Sequence, residues 1–454
     1  MPAIEWIYMN RNREIEENRG NRRITVSLGA DVSEGYVLRY EAMSDAENAD
    51  AAASEHFAFH SIAMGLETPQ QIGERLAAQV IATLDARDEQ PDRIACDLYP
   101  KFPTTYAAEV LADHYQLPML RMQKCHRAIL DAMDRRENVL GICLDDLSYG
   151  SDGTLWGGEI LEISGEGFTR LASIHPYQLI GTNMELHSST PWQTAVSMLY
   201  DLARMFHNED EAIRDFVAKQ EASEKVHLLD LCSLNDARAQ YIAQDRNKNT
   251  TRSTAASGLF DAAAAILGFQ RISTPTGRSP MEALTEAAEA FEQQATSGNA
   301  ERDGRSIVLC RKFKAQIDAL YAKLGKLIAA AEEMEDPTLE PGDLWENTDD
   351  GAFSETSADD SQDILHTEQL IRLLADERIR YLTSLGKRNY DRPLNLKKPD
   401  CGGADENSRL LAWFLLDALA TTTLQYCRNH TDVNITFAGN YLKSGYLLDA
   451  FEMK

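Results

Sequence analysis

The chain has 454 residues and a formal net charge of −27, a length that predicts two or more structural units with separate cores. The acidic balance argues against a nucleic-acid partner, because phosphate binding needs a basic surface. The seven Cys form no CxxC pair, which argues against a disulfide framework or a zinc ribbon.

The N-terminal region gives an expectation about location. Residues 1–22 read as a polar arm without the apolar core of a secretory signal. The longest apolar stretch, at 410–420, is too short to cross a bilayer and contains an Asp. We therefore expect a cytoplasmic protein without a membrane partner.

Residues 23–136 are predicted to form a first α/β lobe. Two alternating strands about a Gly-containing turn begin it, and short apolar strands then alternate with amphipathic helices. Such alternation is typical of α/β layering with parallel strand pairs.

Residues 137–290 are predicted to form a second lobe, in which a buried strand runs into a glycine-rich loop and then a hairpin. Residues 291–404 read as a mostly helical insertion, with an aperiodic acidic linker at 332–363. Residues 405–454 return to the second lobe as a buried helix, a strand and a short last helix.

The loop "DDLSYGSDGTLWGGE", at 145–159, contains four glycines and follows the apolar run "VLGICL". Glycine allows positive φ and lets backbone N–H groups approach an anion such as phosphate. Asp152 is a candidate to orient a magnesium-bound water or, alternatively, to close an Asx turn. Trp156 could stack on a ligand or serve packing. The alternative interpretation of the whole stretch is a β-hairpin with Gly at its turns.

Two further glycines stand before predicted helices. Gly439 and Asn440 follow the strand "NITFA", and Gly277 precedes a helix with Ser279 as N-cap and Pro280 at its first position. Strand–Gly–helix junctions suit a nucleotide held between the lobes of an open α/β sheet.

His56 and His60 have the i, i+4 spacing of two metal ligands on one helix face. Two Phe and an Ala surround them without a third ligand nearby, which favours structural roles.

The chain resembles the C-terminal, carbamoyl-transferring region of the hydrogenase maturation protein family HypF, which is related to the ATPase that threonylcarbamoylates tRNA. The stretches that carry the resemblance are "RIACDLYPKFPTTYAAEVLADHYQLPMLRMQ", "VLGICLDDLSYGSDGTLWGGEIL", "HPYQLIGTN", "STAASGLFDAAAAILGF" and "GRSPMEAL". The resemblance implies an α/β fold of the actin/Hsp70/sugar-kinase type (ASKHA), with two ribonuclease-H-like lobes and a nucleotide in their cleft.

The resemblance also implies a set of site residues. The ligand would be ATP or carbamoyl adenylate, with magnesium as a candidate ion. Asp145 and Asp152 are the candidate catalytic carboxylates. The candidate nucleotide-binding residues are Tyr149, Gly150, Gly153, Gly157, Gly158, Glu159, Gly277, Gly439 and Asn440.

One departure from the family concerns its metal. Where the family has two metal-holding His residues, this chain has Lys124 and Ala128, and only His126 between them remains. A cation and a methyl group cannot replace two imidazoles, so we predict no metal site there.

Three functions stay open. The first is a carbamoyltransferase that uses an intermediate made elsewhere, with another protein supplying or accepting the carbamoyl group. The second, favoured by the missing His pair, is a non-catalytic accessory protein of a maturation or modification complex. The third is a small-molecule kinase of the same superfold, because residues 402–445 are similar to the end of type II pantothenate kinases.

Overall fold

The structure is a computed structural model. It describes residues 22–29, 35–42, 53–59, 67–133, 138–164, 167–179, 191–205, 251–270, 278–295, 311–332, 363–384, 405–430, 434–442 and 445–453. The chain forms two compact units, unit 1 over Met1–Glu137 and unit 2 over Asn138–Lys454.

Unit 1 is built on a mixed sheet with strand order β3-β2-β1-β4-β5. The pairs β1–β2 and β2–β3 are antiparallel, whereas β1–β4 and β4–β5 are parallel. The strands are β1 (Arg22–Leu28), β2 (Tyr36–Ala42), β3 (Ala53–Phe57), β4 (Arg93–Asp97) and β5 (Met119–Met122). The helices are α1 (Pro69–Ala86), α2 (Pro103–Tyr115) and α3 (Lys124–Ala132).

The core of unit 1 follows from the apolar pattern of these elements. Val26 and Ile94 on the sheet pack with Leu76 and Leu111 of α1 and α2, and all four are fully buried. The strands contribute alternate residues to this core, such as Ile24, Val26 and Leu28 of β1, as a period of 2 predicts.

Unit 2 is built on a second mixed sheet, in which β11, β8, β7, β6 and β12 lie side by side. Strand β10 pairs with β7, and β9 pairs with β10. The strands are β6 (Val139–Tyr149), β7 (Leu155–Ser164), β8 (Gly167–Ile174), β9 (Tyr177–Gln178), β10 (Arg252–Ser253), β11 (Asp363–Leu365) and β12 (Asn434–Ala438). The helices are α4 (Pro191–Met205), α5 (Ala256–Leu267), α6 (Pro280–Ala295), α7 (Arg311–Glu332), α8 (Thr367–Ser384), α9 (Glu406–His430) and α10 (Tyr446–Glu452).

The two sheets share one pairing pattern. In unit 2, β8–β7 and β7–β6 are antiparallel and β6–β12 is parallel, as β3–β2, β2–β1 and β1–β4 are in unit 1. In each unit, a meander of three antiparallel strands is therefore extended by a parallel strand that returns through helical segments. This topology confirms the predicted α/β class.

Helix α9 is the longest apolar helix of unit 2. By length and composition alone it could cross a membrane, but 72% of its most apolar window is buried inside the structure. Leu411, Phe414 and Leu415 lie in the same core cluster as Phe260 of α5 and Phe291 of α6. Extensive burial of this kind is what a core helix of a globular fold shows.

One local element was not predicted, and two expectations fall partly outside the described residues. His56 lies in strand β3 with an exposed side chain, and His60 lies outside the described residues. The segment after the acidic linker begins with strand β11, which pairs with β8 and was not predicted. Residues 333–362 of the predicted linker lie outside the described residues.

Candidate functional site

The glycine-rich stretch forms the hairpin between β6 and β7, and this hairpin contains a bulge. Leu144 pairs with Gly158 and Ser148 pairs with Trp156, so residues 145–147 stand opposite Gly157 alone. A bulge re-aims side chains and strengthens the local twist. Here it places Asp145 and Asp146 at the point where the strand bends.

The turn of the hairpin is closed by its own backbone and by one carboxylate. Gly150 N–H donates to the Thr154 carbonyl oxygen at 2.8 Å, and Asp152 Oδ1 accepts from Thr154 N–H at 2.9 Å. Gly153 has φ of +81°, a left-handed conformation that favours glycine. The hairpin alternative, with Asp152 in an Asx turn, therefore describes the local contacts.

Asp152 has two further partners on the hairpin and on β8. It accepts from the Trp156 indole Nε1 at 3.0 Å and pairs with the Arg170 guanidinium at 3.0 Å. The guanidinium also lies over the Trp156 ring, 4.0 Å from its centroid, and Trp156 is only 2% exposed. Trp156 is thus a packing residue in this structure.

Glu159 lies below the turn with a fully buried side chain. Its Oε1 accepts from Gly157 N–H at 3.1 Å, from Gly158 N–H at 3.3 Å and from the Thr254 hydroxyl. Its Oε2 accepts from Arg170 Nε at 2.7 Å. Every oxygen of this predicted ligand-binding acid is therefore engaged by a protein group, as a buried charge requires.

Close packing accounts for three of the four glycines. A Cβ on Gly157 would come within 2.6 Å of the Asp146 carbonyl oxygen, and one on Gly158 within 2.5 Å of that of Thr254. A Cβ on Gly150 would meet the Trp156 indole at 2.2 Å. Gly153 differs, because no atom lies within 4 Å of the position of its Cβ. Of these glycines, Gly153 is the one beside open space.

The second predicted glycine junction adjoins the bulge. Gly439, with φ of +89°, approaches Leu144 so closely that a Cβ would be 2.3 Å from its carbonyl oxygen. Tyr441 Oη donates to Asp146 Oδ1 at 2.6 Å, and Asn440 Nδ2 lies 3.5 Å from Asp146 Oδ2. The structure thus brings Gly439 and Asn440 together with the acids of the bulge.

The remaining predicted residues of unit 2 are placed as follows. Asp145 is buried, and its Oδ1 accepts from Asp146 N–H at 2.7 Å. Tyr149 ends β6 opposite Leu155. Gly277 lies outside the described residues, but Ser279 after it accepts from Glu282 N–H at 3.2 Å as the predicted N-cap.

An acid that sequence reasoning missed lies near this bulge. Asp261 is in the middle of α5, is 6% exposed and has no hydrogen bond to any described residue. Burial, and then the charge of Asp146, raise the pKa of Asp261 well above its usual value. The available signal was a single Asp within the apolar run "ASGLFDAAAAILGF".

Unit 1 shows what stands at the positions of the family's metal ligands. Lys124 begins α3 and is 3% exposed, and His126 N–H donates to the Gln123 side chain at 3.0 Å. Burial lowers the pKa of His126 to about 4, so its imidazole is neutral. Among the described residues, no group of three His, Cys, Asp or Glu side chains is placed to hold a metal ion.

Comparison with known proteins identifies the region that contains the hairpin. Residues 141–335 match the family model described as carbamoyltransferase, Kae1-like domain, second subdomain. The carbamoyltransferase HypF homolog of Cupriavidus necator is 31% identical over 198 residues, which are 43% of this chain and 46% of that protein. The carbamoyltransferase HypF of Rhizobium leguminosarum bv. viciae is 31% identical over 252 residues, 54% of this chain and 30% of that protein. The chain therefore contains a HypF-like C-terminal region.

Solved HypF structures confirm the fold. Full-length HypF in its phosphate- and nucleotide-bound form has a TM-score of 0.54 at 16% identity, covering 95% of this chain and 50% of that one. HypF of T. kodakarensis has a TM-score of 0.53 at 17% identity, covering 96% and 43%. The chain thus spans half or less of the length of these proteins.

Proposed function

We propose that this chain is a carbamoyltransferase that binds an adenine nucleotide or carbamoyl adenylate through unit 2. The observation that carries the proposal is that the region matching the carbamoyltransferase family contains both the β6–β7 hairpin and helix α5. A HypF structure with phosphate and nucleotide bound supports the ligand class. The transfer would use an intermediate made elsewhere, with another protein supplying or accepting the carbamoyl group.

The β6–β7 hairpin of unit 2 offers groups that suit a nucleotide, whereas the residues of unit 1 at the family's metal-ligand positions do not suit a metal ion. Gly153 leaves open space at the tip of the hairpin, where a phosphate could approach the backbone. A magnesium ion arriving with the nucleotide would find the carboxylates of Asp145 and Asp146 at the bulge. In unit 1 the buried ammonium of Lys124 would repel a metal cation, so we derive no step through one.

The test is calorimetric titration of the full chain with ATP, ADP and AMP, with and without magnesium. Gly153→Val should abolish binding, because a branched side chain would occupy the open space and strain a φ of +81°. Gly268→Val is the matched control, since Gly268 ends α5 with φ of +82° and equally open surroundings. Nucleotide binding that survives Gly153→Val, or is lost equally in both variants, would contradict the assigned loop.

A non-catalytic accessory protein is the second candidate, and Lys124 in place of a metal ligand is the observation that favours it. Supplying carbamoyl adenylate to the purified chain separates the two functions. Release of AMP with carbamoylation of an acceptor supports the transferase, whereas nucleotide binding without turnover supports the accessory protein. Transfer of the γ-phosphate of ATP would instead identify a kinase of the same superfold.

A further inference from the structure

The first turn of α8 closes a small cavity in unit 2 that is separate from the residues of the β6–β7 hairpin. The lining side chains come from the end of β8, from β9 and from three helices, and all of them are buried: His175, Tyr177, Met198, Leu259, Thr367 and Glu368. The space has room for about one water molecule. An occupant of this cavity must therefore be as small as water.

Glu368 is a buried carboxylate whose two oxygens have different surroundings. It is 5% exposed, and its Oε1 accepts from Gln369 Nε2 at 3.1 Å and faces His366 Nδ1 at 3.2 Å. Its Oε2 is buried and makes no hydrogen bond, although His175 Nδ1 lies 3.3 Å away. Among the described residues, no Lys or Arg forms an ion pair with this carboxylate. A buried polar oxygen without a donor is costly, so Oε2 calls for a partner from the cavity.

The charge of Glu368 limits which partner fits. Burial by itself raises the pKa of Glu368, but the charges of His175 and His366 outweigh this effect, and the pKa lies below its usual value. Glu368 also lies in the first turn of α8, where the helix dipole favours a negative charge. An ionised carboxylate accepts hydrogen bonds and donates none, so the partner of Oε2 must be a donor.

Thr367 offers the complementary group on the same wall of the cavity. Its Oγ1 accepts a hydrogen bond from His175 N–H at 3.0 Å. This bond leaves the hydroxyl proton of Thr367, for which no acceptor is present among the described residues. The cavity therefore suits an occupant that donates to a carboxylate and accepts from a hydroxyl.

Water meets both requirements and the size limit. An ammonium ion could donate to the carboxylate, but it has no lone pair to accept from the hydroxyl. A metal ion does not fit, because among the described residues no group of three His, Cys, Asp or Glu side chains is placed to hold one. The apolar walls at Met198 and Leu259 offer neither cation a further ligand.

We infer that the cavity holds one buried water molecule, which donates a hydrogen bond to Glu368 Oε2 and accepts one from the Thr367 hydroxyl. This hydrated contact fastens the start of α8 to the end of β8, 192 residues earlier in the chain. It also lies behind the candidate site, because Tyr177 of the cavity wall donates from Oη to the Ala255 carbonyl oxygen at 3.3 Å, just before α5. The inference does not rest on the proposed function, since no nucleotide or carbamoyl group takes part.

A crystal structure of the full chain that shows ordered waters tests the occupant directly. Electron density should peak within about 3.2 Å of both Glu368 Oε2 and Thr367 Oγ1. An empty cavity, or a peak that reaches neither oxygen, would overturn the inference.

A double-mutant cycle tests what the water does, with amide hydrogen exchange in the first turn of α8 as the measurement. Leu259→Met should displace the water, because the unbranched side chain reaches further, and should speed exchange about tenfold by leaving Glu368 Oε2 without a donor. In the Glu368→Leu background, which needs no donor, Leu259→Met should not speed exchange. Leu267→Met, at the other end of α5, is the control, because Leu267 is equally buried and does not line the cavity.

The cycle has two outcomes that contradict the inference. Slower exchange after Leu259→Met in both backgrounds would show that the cavity is dry and that filling it is favourable. Equal acceleration in both backgrounds would show that Glu368 needs no water.

Thermal unfolding separates water from an ammonium ion. Ammonium chloride and sodium chloride at equal ionic strength should give the same melting temperature. A higher melting temperature in ammonium chloride that is lost in Glu368→Gln would identify the ion as the occupant and overturn the assignment of water.

Discussion

The acids in and around the β6–β7 hairpin fall into two groups, which differ in whether a cation pairs with them. Asp152 at the turn and Glu159 in β7 share the guanidinium of Arg170, and each carboxylate also accepts hydrogen bonds from neighbouring backbone N–H groups. At the bulge, Asp146 is held only by the neutral Tyr441 hydroxyl and Asn440 amide, and Asp261 has no hydrogen bond among the described residues.

This difference shows how to separate structural acids from candidate functional ones. A fully satisfied buried network makes a region rigid and leaves little capacity for a ligand. An acid whose pKa is raised by burial and by a second acid is a candidate for binding or catalysis. By this criterion Asp152 and Glu159 stabilise the hairpin, and the acids near the bulge are the stronger candidates for chemistry.

The largest expected effect breaks the turn network. Arg170→Met would leave the fully buried carboxylate of Glu159 without its cation, which should lower the free energy of unfolding by about 3–5 kcal/mol. Urea denaturation measures this loss. Arg278→Met is the control, because its ion pair with Glu286 is exposed on both sides and should contribute at most about 1 kcal/mol. Equal losses in the two variants would show that burial of the Glu159 carboxylate adds nothing to the effect of losing its ion pair.

Gly439→Ala tests the contact that joins β12 to the bulge. Its Cβ would collide with the Leu144 carbonyl oxygen and strain a positive φ, with an expected cost of about 3 kcal/mol. Gly268→Ala carries similar strain without a collision and should cost about 1–2 kcal/mol. Urea denaturation measures both losses of stability, and the larger loss in Gly439→Ala reports the collision with the Leu144 carbonyl oxygen. Equal losses would mean that the backbone around Gly439 shifts to accommodate the methyl group.

A smaller effect is expected when Asp152 alone is neutralised. Asp152→Asn keeps an oxygen for the Thr154 N–H but weakens the pair with Arg170, and since the Asp152 side chain is 41% exposed the cost should be about 1 kcal/mol. Nucleotide affinity should hardly change. A loss of activity without a loss of stability would support the predicted catalytic role of Asp152.

The smallest effect concerns the electrostatic coupling between Asp146 of the bulge and Asp261 of α5. The charge of Asp146 contributes to the raised pKa of Asp261 after burial, so Asp146→Asn should lower that pKa partway. A carboxyl whose pKa is raised by folding lowers stability at pH 8, so Asp261→Asn should add stability there, and it should add less in the Asp146→Asn background than in the wild type. A double-mutant cycle by thermal unfolding measures this coupling, and strictly additive changes would show that the acids do not interact.

Local patterns in the sequence were enough for much of the fold. The apolar run "VLGICL" predicted the buried strand β6, "GGEILEISGEGFTRLASI" predicted the hairpin of β7 and β8, and helical patterns predicted α1, α4 and α9, because these signals are local. The pairing of β11 with β8 was not predictable, since its partner is about 190 residues away and three residues carry almost no periodicity. Strand β3 was not predicted either, and the i, i+4 spacing of two His suggested a helix face where the structure has a strand at His56.

The sequence by itself determined the class of the fold, the position of the glycine-rich hairpin and the kinship with carbamoyltransferases, because these depend on short, contiguous patterns. It could not decide which acids are satisfied. Only the tertiary structure placed Arg170 between Asp152 and Glu159 and buried Asp261 on α5. The reason is physical: burial and charge pairing depend on which elements meet in space, and α5, β6 and β8 are brought together by the packing of the whole unit.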